Sequence, residues 1–245
     1  MRRAAPKPVR FALQPGQSFG GKYTVEAFLG GGIEGEVYKV LETRTKIRRA
    51  AKLFYPTHNR RDHMARAYAR KLENLRHCPL VIQYHNAETL ILNDIEVTCL
   101  LSDYVDGVLL SQYVENQPGK RLHPFEAAHI IYTIVRGLEQ IHGAGEYHGD
   151  LHDDNILIKP CGVFFDIKIL DFYHWGSSAR THQRHDMVDA VRVLYSMLGG
   201  PRHYAKVPQG LKAICLGMRR DLILKRFPTA TRLRQYLENT PDLFL

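Results

Sequence analysis

Cysteine is scarce in this sequence of 245 residues: Cys78, Cys99, Cys161 and Cys215 stand apart, with no C-x-x-C spacing. That excludes a zinc knuckle and a disulfide framework, and reduced, buried thiols are expected. The thirteen histidines contain no H-E-x-x-H or comparable ligand spacing, so they give no sign of a catalytic zinc. No apolar run approaches the roughly 20 residues that cross a bilayer, and the N-terminus has no apolar stretch of signal-peptide type. No membrane partner is expected, and the cytoplasm is the default location. A net charge of +9 comes without any nucleic-acid-binding module. The excess is spread out, with pairs at Arg2-Arg3, Arg48-Arg49, Arg60-Arg61 and Arg219-Arg220, so it reads as solvated surface and no nucleic-acid partner is expected.

What is present is the 44% apolar content of a globular protein, on a chain long enough to bury a sizeable core. Met1 to Gly16 carry Arg, Lys, Ala and three prolines without periodicity, and residues 1–21 are expected to form a flexible basic arm. Between Asp62 and Leu75, Met64, Tyr68, Leu72 and Leu75 recur at helical spacing. Pro124 to His142 reads as a buried helix through Ala127, Ala128, Ile130, Ile131, Ile134, Val135 and Leu138.

The chemistry is concentrated in three places. His148-Gly-Asp-Leu-His-Asp-Asp-Asn-Ile-Leu157 sets Asp150 and Asn155 five residues apart, ahead of two apolar residues. That spacing belongs to a phosphoryl-transfer loop, in which a carboxylate accepts the substrate hydroxyl's proton and an amide oxygen helps hold the metal. Upstream, Gly30, Gly32, Gly35 and Val37 have G-x-G-x-x-G-x-V spacing within strand-like sequence, as a flap lying close against a polyphosphate needs. Lys52 follows Val37 by fifteen residues, inside an apolar run, where a cation calls for an anionic partner such as a phosphate. Downstream, Ile167-Lys-Ile-Leu-Asp171 is a short strand ending in an Asp, suited to be the second ligand of a Mg²⁺ ion.

In this order the motifs resemble those of the protein-kinase-like superfamily, from about Lys22 to Leu245. The resemblance implies an α+β, two-lobed protein-kinase-like fold: a small antiparallel β N-lobe with one helix over residues 22–101, a hinge at 102–107, and a mainly helical C-lobe over 108–245. It implies ATP and Mg²⁺ as cofactors. The implied roles are a glycine-rich loop at Gly30, Gly32, Gly35 and Val37, a phosphate-binding lysine at Lys52, a base at Asp150, and metal ligands at Asn155 and Asp171. Val37, Ala50 and Leu157 would sandwich the adenine, with the backbones of Asp103 and Val105 along its edge. Asp186 would anchor the catalytic loop from a long buried helix running to Gly200, and Lys225-Arg226-Phe-Pro-Thr-Ala230 resembles the segment opening the last helix.

Several positions depart from the family pattern. Tyr68, or Ala69 with a one-residue slip, stands where the small-lobe helix carries the glutamate partner of the lysine, and Arg60 to Lys71 contain no Glu. Lys52 is therefore expected to pair with Asp171, with nucleotide or with Glu73. Gly149 replaces the arginine that reads a phosphate on the activation segment, so control by phosphorylation of that segment is not expected, and modification of Ser177, Ser178 or Thr181 stays open. His152 and the H-G-D-L-H run are closer to aminoglycoside and choline phosphotransferases. Tyr173 replaces a glycine, and fourteen residues without Ala-Pro-Glu separate Asp171 from Asp186. Three functions follow: a minimal Ser/Thr protein kinase, the one favoured, with a protein substrate and a possible activating partner beside the small-lobe helix; a pseudokinase that binds nucleotide or a partner without turnover; or a small-molecule kinase.

Overall fold

The computed structural model describes residues 10–92, 94–162, 164–176, 178–240 and 243. They divide into two units, one comprising residues up to Glu73 with Ile82–Val105, the other Asn74–Val81 with Asp106–Leu245.

The first unit is a six-stranded antiparallel sheet with one α-helix. Its strands are β1 (Ser18–Phe19), β2 (Tyr23–Gly31), β3 (Gly35–Glu42) and β4 (Arg48–Phe54), then, after helix α1 (His63–Asn74), β5 (Tyr84–Leu92) and β6 (Ile95–Asp103). The order across the sheet is β1-β2-β3-β4-β6-β5. Alternate residues of a strand face opposite sides, and here one side is the core: Tyr23, Val25, Tyr38, Val40, Ala51, Leu53, Leu90, Val97, Cys99 and Leu101 are buried together. Of the stretch read as a flexible arm, residues 1–9 lie outside the described residues. Phe11 and Leu13 pack on this core. A buried carboxylate holds that segment: Glu36 accepts hydrogen bonds from the Tyr38 hydroxyl, from Tyr55 Oη at 2.7 Å and from the Ala12 amide at 3.2 Å.

The second unit is mainly helical. It contains β7 (Val108–Leu109), α2 (Leu110–Glu115), α3 (Pro124–Gly143), β8 (Ile156–Cys161), β9 (Phe164–Ile169), α4 (Ala179–Met197), α5 (Gly200–His203), α6 (Gln209–Cys215), α7 (Arg220–Arg226) and α8 (Ala230–Glu238). Helix α3 starts where the sequence predicts. His123 caps it in a reciprocal pair with Glu126, Pro124 occupies the first turn, and its apolar residues from Ala127 to Leu138 that the sequence singled out are fully buried, whereas Phe125 is exposed. Helix α4 begins at Ala179, seven residues ahead of Asp186. The two turns ahead of Asp186 show no apolar stripe in the sequence, since Arg180 to Arg184 are all polar, although His182 is buried. Thr229 caps α8 by accepting from the Arg232 amide, behind the buried Phe227. Together the units have the α+β content expected of the fold.

Cys78, Cys99 and Cys215 are buried and Cys161 is exposed, all four as free thiols. Burial pushes the Cys99 and Cys215 thiols up to about 12, and raises that of Cys78 as well. Among the described residues, no helix is long and apolar enough to cross a membrane.

Candidate active site

Eight of the candidate residues lie in the sheet unit: Gly30, Gly32, Gly35, Val37, Ala50, Lys52, Asp103 and Val105. Pairing of β3 with β4 sets Val37 opposite Lys52 and Lys39 opposite Ala50, so these four side chains share one face. The other face carries Tyr38, Val40, Ala51 and Leu53 into the core. The sheet thus turns Val37, Ala50 and Lys52 to the same side because their neighbours are the apolar half of the alternation.

The three glycines differ in what they do. A Cβ at Gly35 would come within 2.0 Å of the Leu53 carbonyl oxygen, so the close approach of β4 demands glycine there. A Cβ at Gly30 or Gly32 would meet nothing within 4 Å. The space beside these two is open, as a cradle for a polyphosphate has to be.

Lys52 Nζ lies 3.2 Å from Glu34 Oε2 and 4.5 Å from the centre of the Tyr68 ring. From α1 it is therefore Tyr68, and not Ala69, that faces the lysine. Glu34, in the glycine-rich turn itself, is a partner the sequence reading did not single out. Asp103 ends β6, where its carboxylate meets His85 and Arg49 and its amide donates to the Gln83 carbonyl at 3.0 Å. A contact from this residue to a base edge has to come through its carbonyl oxygen. Tyr104, next in the chain, covers the Lys39 ammonium at 4.4 Å. Val105 follows strand β6 and ends the unit.

The helical unit holds Asp150, Asn155, Leu157 and Asp171. The loop that follows Tyr147, the candidate catalytic loop, is pinned by Asp186 of α4. Its Oδ2 accepts from the His148 amide at 2.8 Å and its Oδ1 from the Gly149 amide at 2.9 Å. His142 Nε2 sits 2.9 Å from Oδ2. Burial pushes the Asp186 carboxyl up, but the bond to His142, His148 and the backbone amides outweigh it and hold the group below the usual carboxylate range. His148 is fully buried, with Nε2 at 2.7 Å from the Leu170 carbonyl and Nδ1 accepting from the Asp150 amide at 3.1 Å.

This framework leaves the Asp150 side chain 60% exposed, where a substrate hydroxyl has access. Asn155 Nδ2 donates to the Asp150 carbonyl at 2.8 Å, which turns the amide oxygen the other way, the atom a Mg²⁺ ion requires. The carbonyl of Asn155 accepts from the amide of Leu170 at 2.8 Å, so the two candidate metal-ligating residues are brought into neighbouring strands of backbone. Asp171 itself has φ of +51°, and Phe172 behind it is buried against His148. An amide oxygen and a carboxylate are the donor set Mg²⁺ takes up when phosphate oxygens complete its shell, so the residues fit the group. Leu157 is half-buried in β8, paired with Leu109 and Lys168.

Trp175 is the other residue that sequence reasoning passed over. Its indole Nε1 donates to the Gly149 carbonyl at 2.9 Å and its amide donates to Tyr147 Oη at 2.9 Å. His182 of α4 stacks between Tyr147 and Trp175. The indole lies where a side chain at 149 would begin: a Cβ there would be 3.2 Å from it. An aromatic clasp thus ties the segment after Asp171 to the catalytic loop, where the family pattern would use an arginine and a phosphate. The only signal in the sequence was the pairing of a missing arginine with the chain's one tryptophan. Ser177 lies outside the described residues, whereas Ser178 and Thr181 are exposed at the start of α4.

Residues 23–205 match the family model described as "Protein kinase domain". The chain is 26% identical over 163 residues to a probable serine/threonine-protein kinase of Streptomyces coelicolor, an alignment covering 65% of this chain and 23% of the relative. It is 28% identical over 161 residues to serine/threonine-protein kinase PrkC of Bacillus subtilis, covering 64% and 23%. It thus spans about a quarter of the length of these curated relatives. Among solved structures, the kinase domain of PknI from Mycobacterium tuberculosis superposes with a TM-score of 0.64 at 20% identity, over 93% of this chain and 99% of that one. That likeness shows the fold.

Proposed function

The chain belongs to the protein kinase domain family, and on that footing we propose that it transfers the γ-phosphate of ATP to a serine or threonine hydroxyl of a protein, with Asp150 as the base. The observation that carries this is the catalytic loop: Asp186 fixes two of its amides while the Asp150 carboxylate stays open to solvent. Lys52 would hold the phosphates under the glycine-rich segment of Gly30 and Gly32. Val37, Ala50 and Leu157 would contact the adenine, with Asp103 and Val105 at its edge. Asn155 and Asp171 would hold Mg²⁺, which neutralises charge on the transferring phosphoryl group when bound. Asp150 would accept the hydroxyl proton as the oxygen attacks. His152 Nε2 lies 3.7 Å from Asp150 Oδ2 and 3.0 Å from Asn155 Nδ2.

A second reading, nucleotide binding without turnover, draws support from Tyr68 facing Lys52 where the family has a glutamate. An activating partner beside α1, supplying the acid missing at position 68, is a further expectation; full activity of the purified monomer would exclude it.

Incubation with γ-labelled ATP and Mg²⁺, alone and with a basic protein substrate, tests the main reading. Label on Ser or Thr should fall about a thousandfold in Asp150→Ala, with nucleotide binding retained in a thermal-shift assay. Equal labelling by both proteins would sink the assignment of the base. Binding without any labelling would favour the second reading, and ATP consumption on hydroxylated metabolites alone would make the chain a small-molecule kinase.

A further inference from the structure

A phosphate-binding lysine offers one ammonium, and in this chain a carboxylate already stands on it. Glu34 Oε2 is 3.2 Å from Lys52 Nζ, and the two side chains are only 19% and 13% exposed. Glu34 lies in the short turn 32–34 that joins β2 to β3. Two backbone bonds hold it there: the Tyr55 amide donates to its carbonyl at 2.8 Å, and the Gly32 amide donates to the Gly35 carbonyl at 2.9 Å. The carboxylate therefore reaches the lysine from the glycine turn, the element whose open space beside Gly30 and Gly32 would take the phosphates. From α1 comes the Tyr68 ring, which steadies a cation without neutralising it. A carboxylate and a polyphosphate at one ammonium repel each other, strongly where water is sparse.

We propose that Glu34 competes with nucleotide phosphates for Lys52, so that binding requires Glu34 to withdraw and the glycine turn to move with it. This rests on the nucleotide-binding reading above. Glu34 is then a positioning residue that acts through Lys52 and sets affinity for the phosphates, with no part in recognising the base.

Calorimetric titration with a non-hydrolysable ATP analogue plus Mg²⁺, and separately with adenosine, tests this on the full chain. Glu34→Gln should tighten the analogue about fivefold, the scale of a partly exposed ion pair, and leave adenosine unchanged. In a Lys52→Met background the gain from Glu34→Gln should vanish. An analogue affinity unchanged or weakened by Glu34→Gln, or an equal gain for adenosine, would overturn the proposal while the nucleotide-binding reading stands. Should the wild type bind no analogue, binding by Glu34→Gln would support the competition, and failure of both proteins would overturn it together with that reading.

Discussion

Gly149 holds φ at +87°, and a Cβ there would lie 3.0 Å from the Tyr147 ring and 3.2 Å from the Trp175 indole. Both the backbone and the neighbours require glycine. Restoring the family's residue with Gly149→Arg should therefore lower stability by about 1–3 kcal/mol and displace the indole, seen as a lower melting temperature and a shifted tryptophan emission. A variant as stable as the wild type, with unchanged emission, would mean that the clasp does not constrain this position. Gly35 is limited differently, by the backbone of Leu53 and Phe54 on the neighbouring strand. Gly35→Ala should separate β3 from β4 locally and raise amide exchange at Leu53 and Phe54, whereas Gly32→Ala, with open space, should leave exchange unaltered.

At the scale of elements, α4 matters most to the site because it carries Asp186. A carboxyl held below its unfolded value stabilises the fold at pH above about 3.9, the ordinary Asp value, and that stabilisation is lost as pH falls through the lowered folded value. Acid unfolding should thus be markedly steeper in the wild type than in Asp186→Asn, which should already be about 3 kcal/mol less stable at neutral pH. Parallel acid titrations followed by circular dichroism would show this, and superimposable curves would contradict it. Helix α3 and the core strands were legible in the sequence because their apolar spacing matches one buried face. The first two turns of α4 were not, since polar residues there carry no stripe. Spacing picked out Asp150, Asn155 and Asp171, which the fold gathers in the helical unit. It could not disclose Glu34 on Lys52 or Trp175 on Gly149, because such contacts depend on how turns fold back and leave no periodic trace.

Across the whole molecule, the chain's early residues are tied to the sheet through Glu36. Burial and then the bond to Glu36 push the Tyr55 hydroxyl up to about 12, and Tyr38 is raised in the same way, so both remain donors across the physiological range. Tyr55→Phe removes one donor from a buried carboxylate and should cost about 1–3 kcal/mol, with protease cleavage before Phe19 becoming faster. Unaltered cleavage would show that Phe11 and Leu13 hold the segment without the carboxylate. The family resemblance, and not apolar spacing, suggested strands before the 102–107 hinge and helices after it. Assignment of Asn74–Val81 to the helical unit was not legible. It depends on the Leu80 carbonyl accepting from the Ile169 amide and on Leu80 packing over Gly137, contacts between distant parts of the sequence. The unequal exposure of the four thiols has a practical outcome. With three of them sealed in cores, a maleimide dye should label the wild type at Cys161 alone, on a hairpin whose strands lead back to Asn155 and Asp171. The native chain thus offers a ready-made spectroscopic reporter at the tip of the β8–β9 hairpin, without any cysteine having to be replaced.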